Sequence, residues 1–204
     1  MVAWWYRLMR SVYGLRDEVE SYDFDLVVPL GYGLTTRDEL PDAERKALWA
    51  AAQIAKKQKH RVRIAWASST YFWPGCKEKE DEEKIKFLGA GISGLPIIAS
   101  GITNSVSEAR EIKAAVLNCG LNPKNIVIVL DWPHARSAKM IWEEIFPDSK
   151  IAIKNVEGLW DSSHRAVLQK SKGRWLFVCV LRHLALIFLG VEWVSRIQHP
   201  TETD

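Results

Sequence analysis

Cysteine is scarce in this chain. Its three residues, Cys76, Cys119 and Cys179, lie far apart with no CxxC pair. An odd, dispersed set cannot close a complete disulfide framework, so the thiols are expected to be reduced and the protein cytoplasmic. A long apolar run is also missing: Trp175 to Gly190 is shorter than a normal membrane span and is interrupted by Arg182 and His183. That stretch predicts a buried helix near the end of the chain. Met1 to Arg16 has neither the extended apolar core nor the small-residue cleavage site of a secretory signal. With Trp4, Trp5 and Tyr6 among Arg7, Arg10 and Arg16, it reads as an amphipathic helix packed on the rest of the protein. Peripheral membrane contact stays open, because Trp4, Trp5 and Trp193 lie near the two ends.

Charge of one sign is lacking too. The 28 basic residues meet 25 acidic ones, and a net charge of +3 gives no broad electrostatic footprint for nucleic acid. Zinc-ligand spacing, a P-loop and a GxSxG elbow are absent, and His60, His164, His183 and His199 are isolated. No metal site is expected, and the sequence names no cofactor.

What is present is a regular alternation. With 204 residues, 48% of them hydrophobic, the chain can bury one sizeable core, read as a single domain over 1–204. Asp25 to Leu30 predicts a buried strand entering the turn Gly31-Tyr32-Gly33, and Asp42 to Lys57 a helix. Arg61 to Ala67 predicts a second strand, Glu78 to Leu88 an exposed charged helix, and Leu95 to Ser100 a third strand. Ser105 to Glu108 fits a capping box that opens the next helix. Asn125 to Leu130 is a fourth strand, a helix follows from about Arg136 to Phe146, and Lys150 to Lys154 is a fifth strand. The pattern predicts a Rossmann-like three-layer α/β sandwich with a mainly parallel sheet of about five strands. The core spans about 25–155, with a helical elaboration over about 160–197.

Ligands of such sheets bind beyond the carboxyl ends of the strands. Small and polar residues fall at those ends: Gly31 and Gly33, Ser68 and Ser69, Thr103, Asn104 and Ser105, and Asp131 to Arg136. Each loop has an ordinary turn reading, but their joint placement predicts one site. A helix starting near Ser105 would aim backbone N–H groups, and donors from Thr103 and Asn104, at a phosphate or carboxylate. Asp131 and His134 flank a Trp-Pro turn and form a candidate proton-transfer pair, with Arg136 binding negative charge. Gly89-Ala90-Gly91-Ile92-Ser93-Gly94 matches the GxGxxG dinucleotide fingerprint, yet it follows a charged run and precedes Pro96, so a helix stop is the favoured reading.

The ordered motifs resemble the DUF218, or YdcF-like, family from about Asp25 to Lys154. Asp25 to Gly33 looks like that family's first strand and glycine turn, and Arg45 falls where its following helix carries an arginine. Ile98 to Ala109, which includes Asn104, Ser105 and Glu108, is similar to its loop and helix start. Ile126 to Ala138 resembles the segment in which a histidine and an arginine precede a helix. The resemblance implies a Rossmann-like fold with a polar cleft, and a link of some members to the bacterial cell envelope. The expectation is therefore a protein that binds a small anionic or nucleotide-like molecule. A hydrolase or transferase using His134, a dinucleotide binder using residues 89–94, and a non-enzymatic interaction protein are the alternatives.

Overall fold

The computed structural model describes residues 4–19, 23–58, 62–69, 76–89, 95–157, 163 and 170–197. Its first element is the helix α1 (Trp4–Tyr13), ended at Gly14, where a side chain would run into the Arg10 carbonyl. Strands and helices then alternate as their apolar periods dictate: β1 (Leu26–Pro29), α2 (Asp42–Lys57), β2 (Arg63–Ser69) and α3 (Cys76–Leu88). They continue as β3 (Ile97–Ile102), α4 (Ser105–Asn118), β4 (Asn125–Asp131), α5 (Ala135–Ile145), β5 (Lys150–Val156) and α6 (Lys172–Ile197).

All four pairings are parallel, in the order β3-β2-β1-β4-β5. β1 is buried throughout because a central parallel strand is covered on both faces. Leu26 and Val28 face a core formed with α4, α5 and the end of α6, whereas Val27 faces α2 on the other side. This is a Rossmann-like three-layer α/β sandwich. The chain steps from β1 out to β2 and β3, then returns to place β4 on the far side of β1. The strand order therefore reverses between β1 and β4, which opens the natural ligand crevice at their carboxyl ends.

Two local expectations are corrected. The charged helix α3 is not a wholly solvated face, since Glu80 and Lys84 are buried at 1% exposure. Packing against α2 and β2 brings Lys84 a second partner, Glu44, that no local pattern reveals. The α4 capping box is built by Asn104 and Ser107, one residue before the expected Ser105 and Glu108. Asn104 is as good an N-cap as serine, and the shift leaves the Glu108 carboxylate for Gly31.

Candidate functional site

The turn after β1 is held by carboxylates. Glu108 accepts from the Gly31 amide at 3.2 Å and Glu44 from the Tyr32 amide at 3.2 Å. Tyr32 spans the crevice, its hydroxyl accepting from the Asp131 amide at the end of β4. A Cβ at Gly31 would stand 3.3 Å from the Ala67 carbonyl and 3.5 Å from the Lys84 ammonium, so glycine eases the close approach of this turn to β2.

Beneath that turn lies a buried charge network. Lys84 Nζ is 2.9 Å from Glu44, 2.6 Å from Glu80 and 3.3 Å from the Ala67 carbonyl. Burial pushes the Lys84 ammonium down, but Glu44 and Glu80 more than restore it, so it stays charged. Burial lifts Glu44 to about 7 against the pull of Lys84. Burial also lifts Glu108 to about 7, opposed by the Gly31 amide. Ionisable groups moved this far gather at functional sites and in structural ion networks alike.

On the β4 side two polar groups converge on one hydroxyl. Ser105 Oγ, in the first turn of α4, accepts from Arg182 Nη1 at 2.8 Å and lies 3.5 Å from His134 Nε2. Arg182 comes from α6, which lays Trp175 over the crevice: its ring meets Tyr32 and His134 edge-on at 6.4 and 5.7 Å. The Arg182 guanidinium sits 5.6 Å from the Trp175 ring. His134 is buried, and burial together with the Arg182 charge holds it well below the ordinary histidine value. It is a neutral imidazole at pH 7. Burial pushes the Cys179 thiol up to about 11 despite Arg182, which makes it a poor nucleophile.

Gly31, Ser105, Glu108, Asp131 and His134 thus meet around the crevice, with Thr103 and Asn104 at the start of α4. The Asn104 side-chain oxygen Oδ1 accepts from the Val106 and Ser107 amides at 2.9 Å each, so those donors are satisfied within the cap. Any anion here relies on side chains more than on helix amides. Gly33 lies two residues past Gly31 in the same loop. Ser68 is buried against α3, donating to Asp81, and Ser69 ends β2. Arg45 is exposed on α2. Arg136, in the first turn of α5, donates to the Tyr13 carbonyl and covers the Tyr13 ring at 5.4 Å, which ties α1 down. The Asp131 carboxylate raises the Tyr6 and Tyr32 phenols beyond the effect of burial, while the charge acting on His134 is that of Arg182.

Gly89 follows the end of α3, and residues 90–94 lie outside the described residues. Ile85 to Leu88, the stretch that would need to be a strand for a dinucleotide fingerprint, is helical. Among the described residues no group of three or more His, Cys, Asp or Glu side chains is arranged for a metal ion.

Sequence reasoning missed Arg182, Glu44, Lys84 and Tyr32. Only Arg182 left a signal, as a charge inside an otherwise apolar run. Comparison with protein-family descriptions, with curated proteins and with solved structures found no match for this chain.

Proposed function

We propose that this protein binds a small anionic molecule, phosphate-bearing or nucleotide-like, in the crevice between β1 and β4. The observation that carries the reading is the convergence of Arg182, His134 and Ser105 Oγ at the first turn of α4. A guanidinium beside a neutral imidazole and a hydroxyl offers a charge and adaptable hydrogen bonds, the combination that suits a phosphate oxygen. Trp175 supplies an apolar wall. The resemblance to the DUF218, or YdcF-like, family belongs to the same proposal. Its three motifs, the Gly31 turn, the Asn104 helix start and the His134 turn, border this one crevice.

Isothermal titration with inorganic pyrophosphate and with nucleoside triphosphates tests the reading. Arg182→Ala removes a charge-assisted bond and should weaken binding about tenfold or more. Affinity unchanged in both Arg182→Ala and His134→Ala would sink the proposal.

A second reading is favoured by one feature, the neutral His134 near Ser105 Oγ. There His134 acts as acid or base in hydrolysis or transfer on a phosphorylated or activated substrate, with Asp131, three residues before it, as its orienter and Arg136 stabilising charge. Hydrolysis whose pH–rate profile is the same in His134→Gln removes that reading.

A further inference from the structure

The helix α6 is not the buried helix that its composition predicts: its inner side is apolar, and so is much of its outer side. Between Trp175 and Val191 its only charged or titratable side chains besides Cys179 are Arg182 and His183, and both point inward. Arg182 reaches Ser105, and the His183 ring lies 5.6 Å from the Tyr13 ring. The outward side instead carries Phe177, Leu181, Leu184 and Phe188, spaced as one helical face, with Phe177 64% and Phe188 77% exposed. Water does not support such a face, and a contiguous apolar surface of this kind marks a contact.

The helix α1 extends it. Tyr6 packs with Trp132 and Leu176, and the Tyr13 hydroxyl donates to the Cys179 carbonyl at 3.3 Å, which sets α1 beside α6. Its own outward residues are Trp4, Leu8 and Val12, with Trp4 76% exposed. The helix α1 carries Arg7 and Arg10 and no acidic residue, Arg16 follows it, and Lys172 and Arg174 lie in the first turn of α6. Arg7, Arg10, Arg16 and Lys172 line a groove of about 730 Å³ beside α1. The acids in it are engaged, Glu157 with Arg10 and Asp17 with Lys154.

We propose that the outer faces of α1 and α6 dock on a bilayer surface rich in anionic phospholipids, with lipid phosphates received by the basic groove beside α1. Tryptophans and arginines flanking an apolar face are the composition that seats a helix at the headgroup boundary. Charge decides between occupants. Self-pairing of two copies through this face would ring the interface with like charges, whereas an anionic membrane neutralises them. The helix Lys172–Arg196 is long and apolar enough to cross a membrane. Its inner side, however, is committed: Trp175, Leu176, Cys179 and Leu186 are buried in the protein, and Gly190, at φ 80° and ψ 169°, interrupts the helix. Docking along the surface keeps those contacts, and spanning would break them.

The test is co-sedimentation of the full chain with vesicles of phosphatidylcholine alone and of phosphatidylcholine mixed with phosphatidylglycerol. Binding is expected only to the mixed vesicles and should weaken in about 0.5 M salt, where the Debye length is short. Joint Arg7→Glu and Arg16→Glu substitution should lower it about tenfold or more. Joint Phe177→Asp and Phe188→Asp substitution should do the same with an unchanged melting curve, because both rings are largely exposed. Absence of vesicle binding overturns the proposal, as does equal binding to both vesicle types. A stable dimer that the Phe177→Asp and Phe188→Asp pair dissociates assigns the face to a second copy. Resistance of the native membrane-bound protein to alkaline carbonate extraction assigns α6 to the bilayer interior instead.

Discussion

Lys84 Nζ lies 2.9 Å from Glu44 Oε1, and both side chains are 1% exposed. The pair, with Glu80 at 2.6 Å, joins α2 to α3 directly beneath the Gly31 turn. The floor of the crevice is therefore ionic, and removing one charge leaves its partners buried without it.

Lys84→Met should be among the most damaging single substitutions in the protein. It strands two buried carboxylates, and breaking a buried ion pair from one side costs about 3–5 kcal/mol. Chemical denaturation of the variant checks the loss. Adding Glu44→Gln and Glu80→Gln to it should recover part of the stability, since the orphaned charges then disappear. No recovery would mean that packing, not charge, holds the floor.

Glu108 should give stability a specific pH dependence. Its folded value of about 7 lies above its ordinary 4.5, so between these values the folded protein holds the proton more tightly than the unfolded chain. Its contribution is complete below the ordinary value and is lost as pH rises through about 7. Glu108→Gln removes that loss, and the melting temperature of the variant should fall less than that of the native protein as pH rises over this window. His134 acts in the opposite direction. Its depressed value makes its contribution present above the ordinary 6.5 and lost as pH falls below it. Parallel melting curves of the native protein, Glu108→Gln and His134→Gln across pH would remove this assignment.

Asn104→Ala should cost about 1 kcal/mol, because the side chain satisfies two first-turn amides of α4. Asn104→Ser should recover most of that stability. If both substitutions weaken pyrophosphate binding equally while stability differs, Asn104 contacts the ligand as well as capping the helix. If binding follows stability, its role is confined to the cap.

Much of the fold is legible in the chain itself. Runs such as Ile126 to Leu130 are buried on both faces and must be central strands, and their alternation with amphipathic helices leaves few architectures besides a doubly wound sheet. The placement of polar loops at the strand ends follows from the same order, so the Gly31 turn, the Asn104 helix start and the His134 turn could be grouped before any coordinates. The site's long-range members were not legible. Ser105 and Arg182 stand 77 residues apart, and only the lie of α6 across the crevice brings them together.

Sequence alone determined which segments are strands and helices, because hydrophobic period is a property of neighbours along the chain. In α3 and α6, tertiary structure alone decided which polar side chains turn inward. In α3 it buried Glu80 and Lys84, because Glu44 of α2 meets the Lys84 ammonium there. In α6 it turned Arg182 and His183 inward toward Ser105 and Tyr13, and so left Phe177 and Phe188 outside. A charge is buried only where another element supplies its partner, and a partner supplied by another element is not written in the local pattern.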